Sequence, residues 1–131
     1  MVSSQLAMAC YFDRSYLRDV QPLLPSGVIK GMAHITGGGL TENTPRMLPE
    51  GTSAEIDRAS WTVPPLFQWL QRGGAIAEAE MLRAFNMGVG LVIAVAEADA
   101  AAVLRAIPDA WAVGRVVAGE RDVRYVNAGA R

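Results

Sequence analysis

Cysteine, histidine and lysine each occur once in this chain of 131 residues, as Cys10, His34 and Lys30. A lone cysteine cannot form an internal disulfide, so nothing in the sequence points to an oxidising compartment. One histidine with one cysteine cannot build a zinc site of the usual kind. No apolar run approaches the length of a membrane span, and the longest, Val89 to Ala96, reads as a buried strand. Met1 to Ala9 lacks the basic start and long apolar core of a secretory signal, so the expected location is the cytoplasm, with no membrane partner. Three motifs are also missing. There is no G-x-x-x-x-G-K-[ST] phosphate loop and no G-x-S-x-G elbow, and the glycines at 37–39 and 88–90 lack the third member of G-x-G-x-x-G. These absences argue against a self-contained hydrolase, nucleotide-binding enzyme or metalloenzyme.

What is present describes an ordered globular domain. Hydrophobic residues make up 51% of the chain and charged residues 19%, and the formal net charge of −1 argues against a nucleic-acid partner. The length suits one domain, 1–131, with a real core. Eleven of the twelve basic residues are arginine. Arginine favours bidentate contacts to phosphate or carboxylate, although a GC-rich genome produces the same bias.

Met1 to Phe12 is apolar and rich in small residues, and reads either as a strand or as a frayed remnant. Asp13 is placed to cap a helix over Arg14 to Leu24, with Leu17, Val20 and Leu24 at helical spacing, and Pro25-Ser26-Gly27 ends it. Val28 to Ile35 reads as a strand with Ile29, Ala33 and Ile35 on one face and Lys30, Met32 and His34 on the other. A short helix from Leu40 to Asn43 and a strand from Ser53 to Asp57 follow. Val63 to Arg72 forms a helix capped by Thr62, stopped by Gly73-Gly74, with Leu66, Phe67, Trp69 and Leu70 as its buried side. Ala77 to Phe85 is a second amphipathic helix. The continuous apolar run Leu91 to Ala96 predicts a central strand covered on both faces. Asp99 caps a further helix with a stripe of Ala100, Val103, Leu104 and Ile107. Trp111 to Ala118 and Val123 to Val126 read as a pair of strands joined through residues 119–122. Interspersed strands and helices make an α/β or α+β sandwich.

The stretch richest in chemistry is His34-Ile-Thr-Gly-Gly-Gly-Leu-Thr-Glu-Asn-Thr-Pro-Arg46. Successive backbone N–H groups of Gly37, Gly38 and Gly39 can form a concave nest for an anion. Thr36, Thr41 and Asn43 add neutral donors and Arg46 a charged fork. The competing reading is a plain turn whose glycines let the chain reverse. His34 fits a general acid–base or donor role at a strand end, or a packed structural role. Asn86 either reaches a ligand or closes the preceding helix. Trp61, Trp69 and Trp111 suit core or interface better than a stacking platform.

The His34-to-Arg46 stretch, followed by Phe85-Asn-Met-Gly-Val-Gly90, resembles the C-terminal half of the aminoimidazole ribonucleotide synthetases, also called phosphoribosylformylglycinamidine cyclo-ligases. Between these motifs, Leu48-Pro-Glu-Gly51, Ser60-Trp61, Phe67-Gln-Trp-Leu-Gln71 and Glu80-Met81 fit at the family spacing, and Ala110 to Val117 looks like its closing strand. One local departure stands out: the family often has proline before the Arg of its Arg-x-Tyr segment, where this chain reads Phe12-Asp13-Arg14-Ser15-Tyr16.

The resemblance implies a three-layer α/β/α sandwich with a mixed, partly ferredoxin-like sheet. It implies ATP-dependent closure of an imidazole ring in de novo purine synthesis. ATP activates the formyl oxygen of formylglycinamidine ribonucleotide, and the amidine nitrogen attacks. Selenophosphate synthetase, thiamine-monophosphate kinase, the hydrogenase maturation dehydratase and formylglycinamidine ribonucleotide synthetase are similar enzymes. In all of them an N-terminal half forms the dimer and supplies most of the ATP and magnesium site. That half is absent from this sequence, so no metal site carries over and no cofactor is expected on this chain alone. Thr36, Gly37, Gly38, Gly39, Asn43 and Arg46 are the implied phosphate-binding residues, with His34 and Asn86 orienting the reacting part. The expected protein is therefore the substrate-cleft domain of the cyclo-ligase, inactive by itself. Its partners are the ribonucleotide and the missing half, which docks on an exposed apolar face; self-association of that face would make the isolated chain a homodimer. The alternatives are a non-catalytic anion-binding or interaction module that keeps the fold, or a sister activity of the same superfamily.

Overall fold

The computed structural model describes the backbone of residues 4–10 and the whole of residues 15–127. Six strands form one mixed sheet: β1 (Ser4–Cys10), β2 (Ile29–His34), β3 (Thr52–Asp57), β4 (Val89–Ala96), β5 (Ala110–Ala118) and β6 (Val123–Val126), in the order β2-β4-β1-β5-β3-β6. All neighbours are antiparallel except β3 and β6. The strand reading of the first residues is the one realised, and β1 is interior, between β4 and β5. Because both flanking strands run against β1, they are parallel to each other. Helix α5 (Glu97–Ala106) joins them, a split β-α-β unit.

The apolar run of β4 is buried on both faces, as its continuity predicts. Ile93 and Val95 pack with Val103 and Ile107 of the α5 segment on one side. Val92 and Ala94 pack on the other with Leu40, Leu48, Ile56, Trp61 and Val113. Leu40 belongs to α2 (Gly39–Asn43). A third cluster, Val63, Phe67, Met81, Leu82 and Met87, joins α3 (Pro65–Gly73) to α4 (Glu78–Ala84). Helices thus lie on both faces of the sheet in three layers.

Several local expectations change. The helix predicted from Arg14 to Leu24 is a single turn, α1 (Leu17–Val20), continued as a 3-10 helix over Gln21–Ser26. Pro22, at the start of that 3-10 segment, has no N–H to extend an α-helical ladder. The proposed cap Asp13 lies outside the described residues. Ile29 does not share a face with Ala33 and Ile35. Pairing of β2 with β4 slips between Ile29 and Gly31, so Ile29 joins the α5-side cluster while Ala33 and Ile35 join the other. Helix α3 starts from Pro64 rather than Thr62, and α5 from Ala96, with Asp99 inside its first turn. Leu66 and Trp69 of α3 are 46% and 66% exposed, and only Phe67 is fully buried. Finally, β5 and β6 do not pair: β3 lies between them.

Candidate functional site

The glycine loop leaves edge strand β2 beside β4. Ile35 N–H donates to Gly90 O at 2.9 Å, extending the β2–β4 pairing one residue beyond His34. Downstream, Gly39 presses on the C-terminal end of α4. A Cβ there would overlap the Leu82 carbonyl oxygen and stand 2.7 Å from that of Phe85, and its φ of +58° also suits glycine. The structure therefore brings together the two motifs at 36–39 and 85–90, which are distant in the chain.

Asn43 sets the shape of the loop. Its side chain is 3% exposed. Its Nδ2 donates to the carbonyl oxygens of Thr36 (3.3 Å), Gly37 (3.2 Å) and Gly39 (2.9 Å). C=O and N–H point in opposite directions across a trans peptide, and no cis peptide occurs among the described residues. Drawing the Thr36 and Gly37 carbonyls inward therefore turns the N–H groups of Gly37 and Gly38 outward. Gly39 N–H is returned to Thr36 O at 2.9 Å. Two consecutive outward N–H groups at an exposed turn are a donor pair suited to a small anion. Gly37 and Gly38 thus turn their N–H groups outward, whereas Gly39 and Asn43 hold the loop in shape.

The remaining candidates take separate places. Thr36 and Arg46 are exposed, and the Arg46 guanidinium makes no ion pair with another described residue. Arg46 sits in the 3-10 turn Thr44–Met47, whose Met47 lies against Gly31 of β2. His34 is exposed, in register with Leu91, on the sheet face opposite Ala33 and Ile35. Thr41 is committed elsewhere: its hydroxyl pairs with the Tyr125 hydroxyl at 2.8 Å. Burial raises the Tyr125 pKa, and the Thr41 hydrogen bond opposes that rise.

Asn86 neither caps α4 nor stands free. Its Oδ1 accepts the Gly88 N–H at 2.9 Å and closes a tight turn, with Nδ2 as its remaining donor. Between them Met87, 1% exposed, takes a left-handed φ of +54°, uncommon for a bulky residue. Trp61 holds that turn, its Nε1 donating to Met87 O at 3.0 Å. Two further side chains at the site carry no local sequence signal. Arg83 of α4 donates through Nε (3.2 Å) and Nη2 (3.0 Å) to Glu42 Oε1 of α2, and this raises the Arg83 pKa. Among the described residues no three His, Cys, Asp or Glu side chains gather in one place.

The family model "AIR synthase related protein, C-terminal domain" matches residues 4–127. The chain belongs to this family. The phosphoribosylformylglycinamidine cyclo-ligase of Burkholderia mallei (strain SAVP1) is 50% identical over 107 residues, covering 79% of this chain and 30% of that protein. Its namesake from Methylobacillus flagellatus is 48% identical over 107 residues, covering 79% and 31%. The chain thus spans less than a third of the length of these relatives. Among solved structures, the hydrogenase maturation protein HypE of E. coli superposes with a TM-score of 0.71 at 21% identity, covering 98% of this chain and 47% of that one. Thiamine-monophosphate kinase of Stenotrophomonas maltophilia K279a gives 0.56 at 10% identity, covering 96% and 51%. At those identities the likeness concerns the fold. The AIR synthase C-terminal fold expected from the motifs is the one observed.

Proposed function

We propose that this chain forms one wall of the substrate cleft of a phosphoribosylformylglycinamidine cyclo-ligase, and that the other wall, with ATP and magnesium, comes from an N-terminal half. The observation that supports this reading is the packing of Gly39 and Ile35 against Phe85 and Gly90, which joins the family's two motifs. In this reading Gly37 and Gly38, with Thr36 and Arg46, hold the phosphate of formylglycinamidine ribonucleotide. Asn43 and Gly39 keep the loop in shape, and Asn86 and His34 orient the reacting end.

The reaction transfers the terminal phosphoryl group of ATP to the formyl oxygen, releasing ADP. The amidine nitrogen then bonds to the former formyl carbon, and phosphate leaves with that oxygen. In this reading the residues of this chain bind and orient the ribonucleotide. A cytoplasmic, dimeric complete enzyme goes with this proposal.

The purified 131-residue chain, given ATP, magnesium and formylglycinamidine ribonucleotide, is expected to form no aminoimidazole ribonucleotide. Measurable turnover would overturn the assignment. A second reading, an interaction module that keeps the fold, draws on the exposed Leu66 and Trp69 of α3. Arg46→Gln separates the two: it abolishes phosphate-ester binding under the first and leaves partner capture intact under the second.

A further inference from the structure

Glu42 stands in the way of an anion at the glycine loop. Its side chain folds back toward the start of α2, as helical side chains do. A Cβ on Gly38 would lie 2.9 Å from Glu42 Oε2. A carboxylate beside Gly38, at the mouth of the loop, repels an incoming phosphate. The other oxygen, Oε1, is gripped by Nε and Nη2 of Arg83. Arg83 reaches across from α4, the same helix whose terminal carbonyls abut Gly39. It also stands 3.7 Å from Glu80, so one guanidinium faces two carboxylates.

We propose that Arg83 sets the anion affinity of the glycine loop by neutralising Glu42. The proposal rests on the reading of that loop as a phosphate site. Its charge logic is specific. Without Arg83, the Glu42 charge is left bare beside the loop and anion binding weakens. Without the Glu42 charge, the loop binds better and Arg83 becomes dispensable. Both side chains are about half exposed, 55% for Arg83 and 46% for Glu42, so solvent screens the effect. A change of about two- to fivefold is the scale for such a pair.

The test is a titration of the chain with inorganic phosphate at constant ionic strength, following the Gly37 and Gly38 amide resonances, with chloride as the reference. Arg83→Gln is expected to weaken phosphate binding about two- to fivefold, Glu42→Gln to strengthen it comparably, and the double variant to match Glu42→Gln. A double variant as weak as Arg83→Gln would mean that Arg83 touches the phosphate itself, and would overturn the proposal. Single variants that shift affinity in the same direction would mark the pair as merely structural, and would overturn it too. Amides unresponsive to phosphate in all four proteins would overturn the phosphate reading of the loop, and the proposal with it. Unfolding midpoints of the four proteins verify that each is folded.

Discussion

Removing the Asn43 side chain takes away the one donor that three loop carbonyls share in a buried place. Asn43→Ala is expected to cost about 2 kcal/mol, the scale for stranding buried polar groups. The measurement is the denaturant midpoint at unchanged slope, and an unmoved midpoint would mean the carbonyls find other donors. Trp61→Phe keeps an aromatic ring but takes the donor from the carbonyl of Met87, a residue already in left-handed geometry. It should cost about 1–2 kcal/mol and speed hydrogen exchange at Gly88 and Val89, whose N–H groups both bond to Asn86. At this scale the sequence marks which residues are polar but not which way they turn. Asn43 was legible as a polar residue beside glycines. That its amide turns inward depends on burial by residues far along the chain. The Arg83–Glu42 pair spans 41 positions and leaves no local trace.

Elements were legible where periodicity is strong. The two-face burial of β4 and the helices after residues 63, 77 and 97 follow from their apolar spacing. Periodicity alone could not choose between two apolar stripes on α3, and Leu66 and Trp69 are left in solvent while Phe67 is buried. Trp69→Ser should therefore change unfolding free energy by less than about 0.5 kcal/mol, whereas Phe67→Ala should cost about 3 kcal/mol in the same denaturation experiment. The β5–β6 connection carried turn chemistry, yet strand order is set by non-local packing, and β3 inserts between them.

The attachment of β6 to β3 has a pH signature. Asp122 accepts a hydrogen bond from the Ser53 hydroxyl, which lowers its pKa below the usual 3.8. A depressed carboxyl contributes stability above its unfolded pKa and loses it as pH falls through the folded value. Ser53→Ala should flatten the stability profile on the acid side, below about pH 4. Tyr125 acts in the opposite sense. Its raised pKa gives stability that is full below its ordinary value of 10.0 and fades as pH climbs through the folded value. Thermal melts across pH read both limbs.

For the whole molecule, the split β4-α5-β5 unit around β1 is a non-local arrangement that local patterning could not dictate. The family motifs carried that information, and the match over residues 4–127 agrees with them. Calorimetric titration of formylglycinamidine ribonucleotide into the wild-type chain and into Arg46→Gln tests most directly whether the loop facing away from Asn43 receives the phosphate of a ribonucleotide. Saturable binding to the wild type and its loss in the variant is the predicted result. Equal heats for both proteins, or no binding to either, would contradict it.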